Sequence, residues 1–290
     1  MGPGGFPLRW TRRSAGASPR SPSQRGYEVR TFIIGELINS SRAEVREAIE
    51  RQDEEVIREL ARRQLEAGAD ALDLNAAAAM EREPDALRWL VEVVQDGLGE
   101  VRLSLDTANP QAMEAGLSAC RARPIVNSVS NERSRMPIVE LAARAEAEVI
   151  GLPMGRAGMP KTAEDRLAEA RALVEACQKA GIPKESLLID VLCMSVGSNP
   201  EQGPAALSAA RLIREELGVR TCGAVSNVSF GLPNRKLLNR TYLAMLVAAG
   251  VDAVILDPTD PGMRETLLSA EALTGKDRYC MGYLRYHRKG

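Results

Sequence analysis

The feature that most constrains the fold is an alternation of short apolar runs with longer amphipathic stretches, which repeats from Thr31 onward. Apolar runs bounded by turn residues are typical of buried strands, and the stretches between them carry helical periodicity. Such alternation predicts βα units around a parallel sheet. Eight cycles are present, with predicted strands at 32–34, 71–74, 102–105, 124–126, 149–152, 187–189, 223–225 and 253–256.

The number of units selects between two parallel architectures. Eight βα units in about 250 residues match the size and rhythm of a (β/α)8 TIM barrel. The competing doubly wound sheet binds dinucleotides through Gly-x-Gly-x-x-Gly after its first strand, whereas here the chain reads Gly35-Glu36-Leu37-Ile38-Asn39. We therefore predict an α/β fold of the TIM-barrel type.

Helices are predicted between and after the strands. Ser41 and Glu44 have the spacing of a capping box, which would open a single first helix that ends at Gly68. The remaining predicted helices cover 84–98, 110–120, 137–147, 163–180, 204–217, 236–249 and 262–273. Methionines and Trp89 recur at helical spacing, which favours core positions for them.

Residues 1–30 differ in composition from the rest of the chain. They are rich in Gly, Pro, Ser and Arg and hold no acid before Glu28. Such a segment buries too little apolar surface to offset the entropy lost on ordering. We expect a disordered leader over 1–30 and one barrel domain over 31–290. The leader also resembles an organelle transit peptide, and an overextended gene start would give the same composition.

Overall composition disfavours two classes of partner. The 38 basic and 39 acidic side chains give a net charge of -1, and aromatic residues make up 3%. A nucleic-acid surface needs a basic patch and stacking aromatics. No run approaches the ~18 apolar residues of a membrane span. We therefore expect neither nucleic acid nor membrane as a partner.

Cysteine and histidine content limits the chemistry. The five cysteines are scattered and never form a Cys-x-x-Cys pair, which argues against disulfides and a zinc cage and favours a cytoplasmic location. His287, the single histidine, lies close to the C-terminus. A Ser-His-Asp triad or a histidine-based metal site is therefore disfavoured. The expected chemistry uses carboxylates, amides, hydroxyls or a group carried by another molecule.

Polar residues follow nearly every predicted strand. In (β/α)8 barrels the active site is built at the C-terminal ends of the strands. The polar residues at these positions are Glu36, Asn39, Asp73, Asn75, Asp106, Asn109, Asn127, Asp190, Ser226, Asn227, Asp257 and Asp260. Any one of them can instead cap the following helix. Their convergence on one mouth favours a ligand site.

The mixture of acids and amides indicates the kind of ligand. Asp and Asn side chains offer acceptors and paired donor-acceptor faces, which suit a flat heterocycle with N–H, NH2 and C=O groups on one edge. Pterins and purines meet that description. A two-metal site is an alternative, but the acids do not recur at a ligand spacing, so we expect no bound metal.

Several short motifs at the predicted strand ends resemble those of one family. They are Ile-Ile-Gly-Glu-Leu-Ile-Asn (33–39), Gly-Ala-Asp-Ala-Leu-Asp-Leu-Asn (68–75), Leu-Ser-Leu-Asp-Thr-Ala-Asn (103–109), Ile-Val-Asn-Ser (125–128), Asn-Glu-Arg (131–133), Leu-Ile-Asp (188–190), Ser-Asn-Val-Ser (226–229) and Asn-Arg-Thr-Tyr-Leu-Ala-Met (239–245). Together they resemble the pterin-binding methyltransferases, and most of all those that act between methyltetrahydrofolate and a corrinoid protein. Dihydropteroate synthase and the folate module of cobalamin-dependent methionine synthase are relatives of these enzymes.

The resemblance implies a dihydropteroate-synthase-like barrel that moves the N5 methyl group of methyltetrahydrofolate to or from the cob(I)amide of a separate corrinoid protein. The cobalamin is then carried by the partner, and the barrel binds the pterin. By the family pattern the pterin site comprises Asp73, Asn75, Asp106, Asn127, Asp190, Ser226, Asn227 and Arg235.

Within that set, Asn227 matches the catalytic amide beside N5, and Asp190 and Asp106 are the other residues expected to carry catalysis. A tertiary amine is a poor leaving group, so N5 must gain a proton or a strengthened hydrogen bond as the methyl group departs. An amide cannot supply a proton at neutral pH. We expect Asn227 to donate a hydrogen bond while the proton comes from a network or from solvent.

Some positions depart from the family pattern, and alternatives remain. Phe230 stands where a polar residue is expected in the iron-sulfur corrinoid type, and Val191 where proline is frequent. A dihydropteroate-synthase-like enzyme is one alternative, although Leu256-Asp257-Pro258-Thr259-Asp260 lacks its Ser-x-Arg pair. A non-catalytic pterin-binding subunit of a methyl-transfer complex is another. The family also implies a homodimer.

Overall fold

The computed structural model describes residues 30–155 and 158–288. The expected leader, apart from Arg30, lies outside the described residues. Eight parallel strands close into a barrel in sequence order, which confirms the predicted (β/α)8 architecture. The strands are β1 (Phe32–Asn39), β2 (Ala71–Asn75), β3 (Leu103–Asp106), β4 (Ile125–Val129), β5 (Glu148–Gly151), β6 (Leu187–Asp190), β7 (Arg220–Ala224) and β8 (Ala253–Leu256).

Ten α-helices lie in the described residues and surround the barrel. They are α1 (Ala43–Arg51), α2 (Glu54–Glu66), α3 (Glu83–Leu98), α4 (Pro110–Ala119), α5 (Met136–Arg144), α6 (Ala163–Lys179), α7 (Gln202–Leu217), α8 (Arg235–Ala249), α9 (Pro261–Leu273) and α10 (Met281–His287). Each predicted helix is present, and α10 is an addition at the C-terminal end.

The start of the first helical region is a correction. Ser41 and Glu44 form no capping box, because the backbone N–H of Ser41 binds Asn39 Oδ1 in a turn and α1 begins beyond it without a side-chain cap. The single predicted helix is also divided in two. Gln52 adopts a left-handed conformation, and Asp53 then caps α2 by accepting a hydrogen bond from the backbone N–H of Val56.

The apolar side chains separate into a barrel interior and an outer shell. Inside the barrel, Ile34, Ile125, Ile150, Leu188 and Cys222 pack together in a layer that fills the space below the mouth. Larger clusters lie between the strands and the helices. The interior is therefore a packed core that closes the barrel beneath its C-terminal end.

The expectation that methionines belong to the core holds only for some of them. Met113 and Met263 are buried, but six others are exposed: Met80, Met136, Met159, Met194, Met245 and Met281. Helical spacing alone does not say which face of a helix meets the barrel. Several of the exposed methionines instead lie on loops or outer helix faces.

The end of β1 carries a β-bulge. Gly35 pairs with Leu72 and Ile38 pairs with Leu74, so Glu36 and Leu37 together oppose Asp73. A bulge bends the strand and changes the direction of its side chains, and bulges occur frequently beside active sites. In this barrel the bulge lies at the C-terminal end of β1, where Glu36 reaches the mouth.

The opposite end of the barrel is held by ion pairs. Glu148, at the start of β5, lies 3.2 Å from the guanidinium groups of both Arg102 and Arg220 and 3.6 Å from that of Arg123. This end therefore contributes to stability. Among the described residues, no helix combines the length and apolar character that crossing a bilayer requires.

Candidate active site

A cavity of about 700 Å³ opens at the C-terminal ends of the strands. Its wall contains all eight residues that the sequence assigned to a pterin site: Asp73, Asn75, Asp106, Asn127, Asp190, Ser226, Asn227 and Arg235. They lie on strands β2, β3, β4 and β6, in the turn after β7 and, for Arg235, at the start of α8. The barrel thus brings together residues that are up to about 160 positions apart in the sequence.

Asp73 lies at the base of the cavity and is buried. Its Oδ1 accepts hydrogen bonds from the hydroxyl of Ser104 at 2.6 Å and from the amide of Asn127 at 3.0 Å. These three residues belong to β2, β3 and β4, so one carboxylate oxygen joins three consecutive strands. The second carboxylate oxygen of Asp73 has no hydrogen-bond partner within the described residues.

Asn75 fixes the side chain of Asp106. The Asn75 amide donates to Asp106 Oδ2 at 3.0 Å, while its carbonyl accepts from the hydroxyl of Ser40 at 2.9 Å and from the backbone N–H of Ala77 at 3.2 Å. With its oxygen and its amide both engaged, Asn75 orients Asp106 and leaves the second oxygen of that carboxylate toward the cavity.

Asp190, the last residue of β6, is held by the turn that follows it. The backbone N–H of Leu192 donates to Asp190 Oδ1 at 2.6 Å, and Leu192 adopts a positive φ of 52°. The buried guanidinium of Arg166 donates to the carbonyls of Val191 at 3.0 Å and Leu192 at 2.8 Å. It also donates to Gln202 Oε1 at 2.8 Å. Arg166 therefore fixes the turn that orients Asp190.

The turn after β7 carries Ser226 and Asn227. Arg235 donates to the Ser226 carbonyl at 2.8 Å and to the Ser229 hydroxyl at 3.0 Å, which braces this turn against the start of α8. The Asn227 side chain is exposed in the cavity and has no hydrogen-bond partner among the described residues. Its amide is therefore free to meet a bound molecule.

Burial raises the pKa values of the carboxyl groups in the cavity. It raises the pKa of Asp190 to about 6, although the Leu192 N–H and the Arg166 charge oppose the shift. Burial also raises the pKa of Asp73 and of Asp106, and the negative charge of Asp106 adds to the effect on Asp73. Since these acids are buried and the negative charges of Asp73 and Asp106 are close together, the site favours a ligand that brings hydrogen-bond donors.

Other residues of the cavity wall were not assigned to the site from the sequence. Glu36 was noted only as a polar strand end, and burial raises its pKa to about 7. Arg42 and Arg135 add positive charge to the rim, and the Arg135 guanidinium donates to the Ser128 carbonyl at 3.2 Å. Arg42 and Arg135 could have been predicted from their positions in the loops after β1 and β4, because such loops form the mouth of a barrel.

Two of the polar strand-end residues have the simpler role of helix caps. Asn109 accepts from the backbone N–H groups of Gln111 and Ala112 at the start of α4. Asp260 accepts from the backbone N–H of Gly262 at the start of α9 and pairs with Arg240 at 2.7 Å. Neither residue lines the cavity.

A second cavity of about 620 Å³ adjoins the first and shares Asn227 and Phe230 with it. Met194 and Leu232 contribute apolar surface, and Phe230 is 72% exposed. The shared wall makes Asn227 accessible from two sides. Across the described parts of the chain, no cluster of three or more His, Cys, Asp or Glu side chains has the arrangement of a metal site.

Comparisons with known proteins agree with this geometry. Residues 35–257 match the family model for pterin binding enzymes. A methylcorrinoid:tetrahydrofolate methyltransferase of Eubacterium limosum is 32% identical over 89% of this chain and 97% of its own length. The methionine synthase of Mycobacterium leprae is 29% identical over 78% of this chain, which spans only 20% of that longer protein.

Solved structures show the same fold. The dihydropteroate synthase of Yersinia pestis superimposes with a TM-score of 0.64 over 84% of this chain and 93% of its own, at 18% identity. The chain belongs to the pterin binding enzyme family, as the strand-end motifs predicted. Within this family it is an enzyme of the methyltransferase type.

Proposed function

We propose that this enzyme transfers a methyl group between N5 of methyltetrahydrofolate and the corrinoid of a separate protein. The observation that carries the proposal is the convergence of Asp106, Asn127, Asp190 and Asn227 on one cavity. The similarity to a methylcorrinoid:tetrahydrofolate methyltransferase over almost its whole length supports the same reaction.

The carboxylates and amides account for pterin recognition. A pterin presents an exocyclic NH2 and a ring N–H next to a carbonyl oxygen along one edge. Asp190 and Asp106 each keep a carboxylate oxygen that no described residue occupies, and these oxygens are suited to accept from the NH2 and N–H groups. Matched polar groups discriminate strongly, because an analogue without the donors leaves buried oxygens unpaired.

Asn227 acts at the reacting nitrogen. The N5–methyl bond breaks as the nitrogen gains negative character, so a hydrogen bond from the Asn227 amide strengthens toward the transition state. Arg235 holds the turn that carries Asn227 through two hydrogen bonds, which limits the reorganisation needed when the substrate binds.

The corrinoid reaches the site on its partner protein. The single histidine of the chain, His287, lies on α10, which packs against α9 away from the mouth. The apolar cavity beside Asn227 gives a bulky macrocycle access to the same amide from outside the pterin cavity. A corrinoid protein is therefore the proposed partner, and methyltetrahydrofolate and tetrahydrofolate are the proposed small substrates.

Isothermal titration and single-turnover kinetics test the proposal. We expect methyltetrahydrofolate to bind wild type with micromolar affinity and Asp190→Ala at least tenfold more weakly, because a charged hydrogen bond is lost. Methylation of free cob(I)alamin is expected to slow ~10²-fold or more in Asn227→Ala, with folate affinity within threefold of wild type.

Asn109→Ala is the matched control, since Asn109 is a strand-end amide that caps α4 and lies outside the cavity. It is expected to keep wild-type methyl transfer and to lose ~1 kcal/mol of stability. Absence of both folate binding and methyl transfer in wild type would overturn the proposal. Folate binding without methyl transfer to any corrinoid would indicate the non-catalytic subunit instead.

We also propose a homodimer. Leu237, Thr241 and Met245 are spaced by four residues on α8, and Leu237 and Met245 are 60% and 46% exposed. Two exposed apolar side chains on one face of an outer helix are suited to pack against the same face of a second copy. Light scattering is expected to give twice the chain mass, and Leu237→Glu with Met245→Glu is expected to give the monomer.

A dihydropteroate-synthase-like reaction has weaker support. Its likeness to this chain is one of fold at 18% identity. The loop after β8 presents Asp260, which engages Lys236 at 3.4 Å and Arg240 at 2.7 Å. These cations are already paired with a carboxylate, which leaves the loop poorly suited to a diphosphate.

A further inference from the structure

Glu36 is a titratable side chain of the cavity wall that the contacts proposed above leave without a role. It lies in the β-bulge of β1, where Glu36 and Leu37 oppose a single residue of β2. Because the bulge changes the direction of the strand at this point, the Glu36 carboxyl faces the cavity beside the turn that carries Asn227.

A buried glutamine holds this bulge in place. The Oε1 atom of Gln64, on α2, accepts a 2.9 Å hydrogen bond from the backbone N–H of Leu37. Because Leu37 lies in the bulge, this N–H is not paired with the neighbouring strand. The same side chain fills the space above Gly35, where an added Cβ would lie 2.5 Å from Oε1. The absence of a side chain on Gly35 leaves room for Gln64, and the hydrogen bond from Leu37 to Gln64 holds the bulge that directs Glu36 into the cavity.

Glu36 is linked to the proposed reaction centre through one hydroxyl. Ser226 donates from Oγ to Glu36 Oε2 at 3.1 Å, and Ser226 directly precedes Asn227 in the chain. Oε1 of Glu36 has no partner within the described residues. A carboxyl and a hydroxyl in this arrangement pass a proton by exchanging donor and acceptor roles.

The charges around Glu36 are balanced. Asp257, after β8, and Asp73, on β2, face it with negative charge, whereas Arg42 and Arg235 face it with positive charge. Burial is the largest influence and raises the pKa of Glu36 to about 7, against the Ser226 hydrogen bond and the two arginines. The carboxyl therefore gains and loses a proton at neutral pH.

We propose that Glu36 stores the proton that methyl transfer consumes and exchanges it with N5 of the pterin through the Ser226 hydroxyl. This inference rests on the proposed function, which leaves open where that proton comes from. Asn227 is proposed to stabilise N5 by a hydrogen bond but cannot supply a proton, so the proton needs another donor, and Glu36 is the carboxyl that is hydrogen-bonded to the turn carrying Asn227.

The step balances in both directions. When the corrinoid is methylated, the N5–carbon bond breaks, its electron pair stays on N5 and takes the proton, and the electron pair of Co(I) forms the cobalt–carbon bond. Glu36 is left as a carboxylate and regains its proton from water. In the reverse direction N5 attacks the methyl group, cobalt keeps the electron pair, and the Glu36 carboxylate accepts the N5 proton.

The pH dependence of single-turnover methyl transfer to free cob(I)alamin tests this role in Glu36→Gln. For wild type we expect the rate constant to fall as pH rises through about 7, since the protonated carboxyl is lost, and the reverse rate constant to rise over the same range. Glu36→Gln is expected to slow transfer ~10²-fold and to remove this change, with folate affinity within threefold of wild type.

Two further variants separate a proton role from a structural one. Ser226→Ala is expected to slow transfer and to remove the same pH dependence, and the double variant is expected to match Glu36→Gln within twofold, because both act on one path. Glu44→Gln, an exposed carboxyl on α1, is the matched control and is expected to behave as wild type.

The outcomes of this experiment are distinct from those for the proposed function. A wild type without methyl transfer would contradict the proposed function itself. An active wild type with an unchanged rate and pH profile in Glu36→Gln would overturn only the proton role. A tenfold loss of folate affinity in Glu36→Gln would overturn it as well, because Glu36 would then be a binding group.

Discussion

The amide of Asn127 on β4 donates a 3.0 Å hydrogen bond to the carboxylate of Asp73 on β2, across the intervening strand β3. Ser104 of β3 donates to the same oxygen at 2.6 Å. The base of the cavity is therefore one polar unit shared by three strands. Such units are stable when every buried group is paired and costly when one partner is removed.

Asp73→Ala is expected to lower the free energy of unfolding by about 1–3 kcal/mol, since it leaves the Ser104 hydroxyl and the Asn127 amide without their acceptor. Folate affinity is expected to fall as Asn127 loses its fixed orientation. Urea denaturation and isothermal titration measure the two effects. Asp85→Ala, an exposed carboxyl on α3, is the control; an equal loss in both variants would contradict the shared unit.

Asp190→Asn is expected to stabilise the protein at neutral pH. Burial raises the pKa of Asp190 to about 6, from 3.8 for an ordinary aspartate. When folding raises the pKa of an acid, its contribution to the free energy of unfolding is complete at a pH below the pKa of the unfolded state. That contribution is lost as the pH rises through the pKa of the folded state. Asparagine avoids that loss, so we expect a gain of roughly 1–3 kcal/mol at pH 7 and none at pH 4.

The same substitution is expected to weaken folate binding and to remove its dependence on pH near 6. In the proposed binding mode the ionised carboxylate accepts from pterin donors, so wild-type affinity is expected to fall as pH drops through about 6. Titration calorimetry between pH 5 and pH 8 measures this. A wild-type affinity that rises at low pH would show that protonated Asp190 is the binding form.

Arg166→Met is expected to lower the free energy of unfolding by about 3 kcal/mol or more, because it leaves the Val191, Leu192 and Gln202 acceptors unpaired in the core. Hydrogen exchange is expected to increase at 190–193, and folate affinity to fall with the loosened Asp190. Arg166→Lys is not expected to restore either property, since an ammonium group cannot reproduce the planar set of donors.

Arg171→Met is the matched control on the same helix. Arg171 is half-exposed and lies 3.7 Å from Glu216, a surface pair of small energetic weight. Its loss is expected to change stability by less than ~0.5 kcal/mol. Similar losses for Arg166→Met and Arg171→Met would mean that the turn after β6 does not depend on the buried guanidinium.

Phe230→Ser is expected to raise the KM for a corrinoid protein about tenfold while folate affinity stays within threefold. Phe230 is 72% exposed beside Asn227, and burying such a ring against a partner is worth ~1.5–3 kcal/mol. Leu273→Ser, 88% exposed at the end of α9, is the control. An unchanged KM in Phe230→Ser would place the partner's contact elsewhere on the barrel.

The repeating pattern of the sequence was sufficient for the fold. Apolar runs alternate with amphipathic stretches because each strand is buried on both faces and each helix on one, and this pattern is local. The polar residues that end the runs could be found for the same reason. All eight residues assigned to the site lie on one cavity wall, since parallel strands in a closed barrel end at one mouth.

What the sequence did not reveal depends on contacts between distant elements. The spacing of Ser41 and Glu44, which is that of a capping box, gave a wrong helix start, because the Ser41 N–H donates to the side chain of Asn39 instead. Asn109 and Asp260 resemble site residues in the sequence and prove to be helix caps. No local pattern marks the role of Arg166, since the acceptors that tie it to the turn after β6 and to α7 follow 25 to 36 residues later.

The sequence alone therefore determined the barrel, the number of its units and the end at which the polar side chains gather, because these follow from hydrophobic periodicity and chain direction. The tertiary structure decided which of those side chains meet, which are already paired and which keep a free oxygen or amide for a ligand. It also decided the direction of Glu36, since Gln64 of α2 lies against Gly35 and accepts a hydrogen bond from the Leu37 N–H in the bulge that turns this carboxyl into the cavity.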